Sequence, residues 1–112
     1  MKRSTLLRML KREGLSRFEI AVLLYVYDNK DKDLITYKEI AEAIGHSRAY
    51  RAVGNALHRN PFPEVIPCYK VIRSDMHIGS YVNGRDSKRI LLQRSLNGKG
   101  YKIINDRVIK IS

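Results

Sequence analysis

One cysteine in 112 residues, no tryptophan, and 11 acidic side chains against 22 lysines and arginines set the first limits on this chain. A single cysteine permits no internal disulfide, so a reducing cytosol is the expected location, at the nucleoid if the source is prokaryotic. Histidines at 46, 58 and 77 beside that one cysteine match no zinc spacing, and no metal or other cofactor is expected. No apolar run approaches a membrane span, and the start MKRSTLLRMLKREG is too charged for a secretory signal, so no membrane partner is expected. Glycine-rich phosphate loops and Gly-x-Ser-x-Gly are missing, and the carboxylates form no suggestive pair. The shortage of acid leaves a formal charge of +11 and a pI near 10.0, a balance that suits a polyanion, with nucleic acid first among candidates.

What is present is an ordinary globular composition, 44% hydrophobic and 29% charged, at a length that points to one domain with a modest core. Within it, 1–15 reads as a short basic N-terminal helix, 16–98 as the core and 99–112 as a C-terminal hairpin. Leu6, Leu7 and Leu10 share one face of a helix over Ser4–Glu13, with Gly14 just past its end. Ser16 and Glu19 have capping-box spacing ahead of a helix from Arg17 to about Tyr27, the expected central core helix. Thr36 and Glu39 repeat that signal, and Ile40, Ala41 and Ile44 form the stripe of the next helix, closed by Gly45. Ser47 is then expected to cap a helix from Arg48 to about His58, with Ala49, Ala52, Val53, Ala56 and Leu57 inside. Two short capped helices joined by a glycine turn form a helix-turn-helix pattern. Val71–Arg73 reads as a short strand, Ser74–Gly84 as a glycine-punctuated loop and Ser87–Leu96 as a basic helix. Tyr101–Ile111 alternates around Asn105–Asp106 like a small hairpin, either a wing or a cover for the core.

The stretch unlike scaffold is Asn60–Ile72, NPFPEVIPCYKVI. Pro61, Pro63 and Pro67 fix φ along it and deny it helical continuity. Phe62, Val65, Ile66, Val71 and Ile72 mark it as buried, which is unusual for irregular backbone. Cys68 stands at the end of this rigid run. A lone cysteine by itself reads as a small core hydrophobe; a thiol presented by a rigid frame reads as a reactive group held still. The expected fold is mainly α with small β elements. It has a winged-helix-turn-helix-like core of three helices, a proline-framed active-site loop, a C-terminal helix and a short β-hairpin.

From Phe18 to about Leu92 the sequence resembles the DNA-binding domain of the O6-alkylguanine-DNA alkyltransferases. The matching pieces are TYKEIAEAIG (36–45), RAVGNAL (51–57), NP (60–61), IPC (66–68), GSY (79–81) and KRILL (88–92), in the family's order and spacing. The resemblance implies a protein that binds double-stranded DNA, preferably alkylated, by the minor groove, flips O6-alkylguanine and takes the alkyl group irreversibly on a cysteine. Carried over by position, Cys68 is the alkyl acceptor, Arg51 fills the vacated stack and Tyr37 helps rotate the 3′ phosphate. Asn60 braces the loop, and Tyr81 contacts the flipped base beside Val82 and Pro67. The DNA-facing set it implies is Tyr37, Ser47, Arg48, Tyr50, Arg51, Ala52, Asn55 and Arg59. Base flipping asks for a basic surface and a side chain to fill the stack, and methyl transfer asks for a thiolate in a dry pocket.

The departures bear on the chemistry. The family's histidine after the cysteine is Tyr69 here, its arginine is Lys70, and its serine after the pocket tyrosine is Val82. No acidic residue lies between Asp86 and Asp106, where the family carries a glutamate that polarises the histidine. A phenol is a poor general base at neutral pH, which leaves Lys70 and nearby helix ends to lower the pKa of Cys68. The family's N-terminal domain is expected to be absent, and the monomer is the expected state. Small size and the tail GYKIINDRVIKI also resemble the alkyltransferase-like proteins, which bind the lesion without transfer, hand it to downstream repair proteins and lack the cysteine kept here. Three readings stand: a single-turnover alkyltransferase using Cys68, a non-enzymatic lesion sensor, and a helix-turn-helix regulator.

Overall fold

The computed structural model describes residues 1–81 and 83–111. Five α-helices and two two-stranded sheets among the described residues make the architecture mainly α with small β elements. Helix α1 (Arg3–Arg12) buries Leu6 and Leu10, one turn apart, against α2 (Arg17–Asp28). The capping box at the start of α2 is formed: Glu19 N–H donates to Ser16 Oγ, and Ser16 N–H donates to Glu19 Oε1. Val22, Leu23, Leu24, Val26 and Tyr27 of α2 are all buried, so this helix presents apolar surface to several neighbours. Full burial of each such side chain contributes about 1.5–3 kcal/mol, which makes α2 the main anchor of the core.

Strand β1 (Ile35–Thr36) runs directly into α3 (Tyr37–Ala43), whose capping box between Thr36 and Glu39 is also formed. Glu39 in addition accepts from the Tyr25 hydroxyl at 2.8 Å and pairs with Lys32 at 2.6 Å, so one carboxylate ties α2, its connector and α3 together. At the end of α3, Gly45 takes φ +80, its N–H donates to Glu42 O, and His46 N–H donates to Ala41 O. That pair of bonds is a Schellman turn, which only a residue tolerant of positive φ closes cheaply.

The next helix departs from expectation at its start. The Schellman turn extends through His46, and a further turn closes with Ala49 N–H donating to His46 O, so α4 begins at Tyr50 (Tyr50–His58) with no side-chain cap. Ser47 and Arg48 lie in that turn, ahead of the helix. Ala52 is exposed and does not belong to the buried stripe, which is Val53, Ala56 and Leu57. Helix α4 packs on α2 and α3.

Strand β2 (Val71–Ile72) pairs in parallel with β1, Ile35 opposite Val71 and Thr36 opposite Ile72. β2 is the short strand read at Val71–Arg73, whereas β1 has no sequence signal long enough to read, and their pairing brings the start of α3 beside the cysteine loop. Helix α5 (Arg85–Leu96) starts two residues earlier than its periodicity indicates, behind Gly84 at φ +93. Strands β3 (Tyr101–Ile104) and β4 (Arg107–Lys110) form the hairpin, with Asn105 and Asp106 both at positive φ, as a two-residue I′ turn requires. It backs α5 and the preceding loop: Val108 N–H donates to Met76 O, Ile78 N–H to Asp106 O, and Arg89 grips the Asp106 carboxylate at 2.5 Å. A second apolar cluster (Ile72, Ile78, Leu92, Leu96 and Val108) joins the hairpin to the loop that shapes the site.

Candidate active site and nucleic-acid interface

The proline-framed loop is held from inside by one side chain. Asn60, only 5% exposed, donates from Nδ2 to Ile66 O at 2.9 Å and to Cys68 Sγ at 3.2 Å. Its Oδ1 accepts from Phe62 N–H at 2.9 Å, so a single amide fixes both ends of the loop and touches the thiol. Ile66 N–H donates to Phe62 O and Cys68 N–H to Ile66 O, which leads the chain into the 3₁₀ turn Cys68–Lys70. Pro67, half-buried, precedes that turn, and Cys68 itself is 3% exposed.

Burial pushes the Cys68 thiol above its ordinary value, because a thiolate there loses water. The hydrogen bond from Asn60, the charge of Lys88, the thiol's backbone partner and the Tyr81 hydroxyl all pull the other way. Lys88 is the unexpected member. It reads as a solvated lysine of a basic helix, but it is 1% exposed and donates to Val71 O at 2.5 Å and Ser80 O at 3.1 Å. Its ammonium also lies 5.8 Å from the centre of the Tyr37 ring. Burial brings its pKa down to about 8, and the neighbouring thiol opposes that fall. The signal was available: Lys88, Leu92 and Leu96 occupy one buried stripe of α5, so the lysine stands in an apolar position.

Lys70 takes a different role from the one read off the sequence. Its Nζ donates to Lys30 O at 2.5 Å and Lys32 O at 3.1 Å, tying down the α2–β1 connector. The cation acting on Cys68 is Lys88. Tyr69 is half-buried and lines a cleft of about 460 Å³ together with Pro63, Glu64, Pro67 and Tyr81. Cys68 faces a separate cavity of about 10 Å³, room for about one water molecule. Its walls are Tyr37, Leu57, His58, Ser80 and Tyr81, and His58 Nε2 lies 2.9 Å from Ser80 Oγ across it. Burial, followed by the neighbouring thiol, raises the phenols of Tyr37 and Tyr81, the latter to about 12. Gly79, at φ +74, passes so close to Tyr37 that a Cβ would sit 3.0 Å from the hydroxyl. His58, Ser80, Lys88 and Leu57 are site residues that sequence reasoning missed; Val82 lies outside the described residues.

On α4 the outward face carries Arg51, Ala52 and Asn55, all exposed, with Tyr50 beside them at 45% exposure. Ser47 and Arg48 are exposed in the preceding turn. Arg59 is held by Glu19, Nη1 to Oε2 at 3.1 Å, which turns it towards the start of α2. A cleft of about 580 Å³ separates this helix from the 73–80 loop and the first residue of α5.

Comparison with known proteins decides the family. The model of the 6-O-methylguanine DNA methyltransferase DNA-binding domain matches residues 17–95. The chain belongs to that family. It is 53% identical over 62 residues to a methylated-DNA–protein-cysteine methyltransferase of Methanosarcina barkeri, covering 55% of this chain and 39% of that protein. It is 41% identical over 91 residues to the Thermococcus kodakarensis protein of the same name, covering 80% of this chain and 51% of that one. It superposes on the crystal structure of O6-methylguanine-DNA methyltransferase from Pyrococcus kodakaraensis with a TM-score of 0.65 at 39% identity, over 74% of this chain and 48% of that one. The chain thus spans about half the length, or less, of these relatives. Within the matched residues, α3–α4 with its exposed arginines is a basic helical pair.

Proposed function

We propose that this methyltransferase-family domain binds duplex DNA through α3–α4 from the minor groove, flips O6-alkylguanine out of the stack and transfers the alkyl group once and irreversibly to Cys68. The observation that carries the reading is the thiol's placement. Cys68 Sγ sits in a buried cavity, hydrogen-bonded by Asn60, within the field of a buried lysine, on a loop that three prolines and one amide hold rigid. In the transfer, the thiolate sulfur attacks the alkyl carbon, the sulfur–carbon bond forms and the carbon–O6 bond breaks. The proton released by the thiol balances the one the departing guanine takes up. Lys88 and Asn60 stabilise the thiolate before attack, and Tyr37 and Tyr81 keep their phenol protons at neutral pH and can donate to the base. Arg51 fills the gap in the stack, and Tyr37 turns the 3′ phosphate.

A second reading has its own support. Burial raises the thiol, and Tyr69 stands where the relay histidine of the family would be, so the same pocket without transfer would be a lesion sensor. Intact-protein mass spectrometry after incubation with duplex containing O6-methylguanine separates the two. One methyl gained on the Cys68 peptide, absent with undamaged DNA and absent in Cys68→Ala, is the expected result. Preferential binding without an adduct would replace transfer by sensing, and neither adduct nor preference would leave a general DNA-binding domain.

A further inference from the structure

The cleft of about 580 Å³ between α4 and the 73–80 loop, with the first residue of α5, shares two walls, Tyr37 and Ser80, with the small cavity that holds Cys68. It therefore adjoins that cavity, as a vestibule would. A base lying against Cys68 leaves its sugar and flanking phosphates in the vestibule, because a nucleotide's backbone follows its base by only a few bonds. The vestibule is lined by Arg51 from α4 and by Arg73, His77 and Arg85 from the opposite wall. Arg73 and His77 are held side by side, since Arg73 N–H donates to His77 O at 2.9 Å.

We infer that Arg73, His77 and Arg85 form a phosphate clamp for the extrahelical nucleotide, on the wall facing the helix-turn-helix. The inference rests on the base-flipping reading proposed above and adds the residues that hold the flipped strand. The two guanidiniums are available for it. Arg73 meets Asp75 at 3.5 Å and Arg85 meets Asp106 at 3.8 Å, both longer than a charge-assisted hydrogen bond of about 2.7–2.9 Å. Asp106 is satisfied by Arg89 at 2.5 Å, which leaves Arg85 as its loose second partner. Both arginine side chains are more than half exposed, so each can swing to a phosphate without breaking the core.

The test is a fluorescence-anisotropy titration of the full chain at a series of salt concentrations. A Cys68→Ala background prevents transfer during the measurement, and the probes are a duplex with one O6-methylguanine and the same duplex undamaged. Removing both cations in Arg73→Ala/Arg85→Ala should flatten the dependence of log affinity on log salt by about 1.8 for the damaged duplex, about 0.9 per lost phosphate contact. The undamaged duplex should change by less than half of that. The Arg73→Lys/Arg85→Lys variant keeps the charge and should retain most of the slope, which separates lost phosphate contact from a disturbed loop. Equal flattening on both duplexes would reduce the clamp to general surface attraction, and no flattening on either would overturn it. If the parent protein itself binds both duplexes equally, base flipping fails first and takes the clamp with it.

Discussion

Replacing Asn60 by alanine asks whether the cysteine loop is rigid because of its prolines or because of its amide brace. Asn60→Ala keeps Pro61, Pro63 and Pro67 and deletes three hydrogen bonds, those to Ile66 O, Phe62 N–H and Cys68 Sγ. Two of the partners are backbone groups, and a buried backbone group left unpaired costs about 1–3 kcal/mol. Ile66 O keeps its bond from Cys68 N–H, so losing the amide there costs about 1 kcal/mol, while the N–H of half-buried Phe62 is left unpaired at about 1–2, a loss of about 2–3 kcal/mol. For a domain of this size about 1 kcal/mol lowers Tm by roughly 4 °C, so a fall of roughly 8–12 °C is expected by calorimetry or circular dichroism. The same substitution removes the donor that favours the thiolate, so the pH at which Cys68 becomes half-reactive towards iodoacetamide should rise. A Tm within about 3 °C of the parent would refute the argument and assign the rigidity of the loop to its prolines.

Three further outcomes follow from the same geometry. The folded-state pKa of Lys88 is about 8 against an ordinary 10.5, so burial of its charge destabilises the fold fully below pH 8 and is relieved as pH rises towards 10.5. A difference curve, parent minus Lys88→Met, from urea melts across that window should rise by up to about 3 kcal/mol, and a flat curve would mean the ammonium is already solvated. Arg51→Ala should weaken binding to alkylated duplex more than to single strands, because a stack-filling side chain has a role only in duplex; gel-shift titrations showing equal losses would sink that role. Tyr69→His should speed alkyl transfer to Cys68, as followed by single-turnover quench, since it supplies an imidazole in a cleft that also contains Glu64. An unchanged rate would show that the relay matters little in this chain.

Local signals carried far in this protein wherever one residue's chemistry was enough. Two capping boxes, at Ser16 and Thr36, start α2 and α3 at the positions their spacing requires, and Asn105–Asp106 closes the hairpin. The same signals misled at Ser47, a good cap by type, because the Schellman turn through His46 uses the chain before a helix can begin there. Lys70 misled in a related way. Two residues from Cys68 in sequence, it has the position of a cation for the thiol, but its side chain runs to two carbonyls of a connector about forty residues earlier.

By itself, then, the sequence determined the mainly α class, the basic helix pair, the proline-framed loop with its single thiol and, through its motifs, the family. Those are properties of residues near one another in the chain. The tertiary structure decided what surrounds the thiol. Lys88 reaches the site from α5, His58 from the end of α4 and Ser80 from the following loop, and the two-residue ladder between β1 and β2 swings Tyr37 in beside them. Local pattern marks Lys88 as a lysine in an apolar stripe but not its partners, because each partnership depends on packing helices and loops whose sequence separation is long and whose contacts are set only when the core closes.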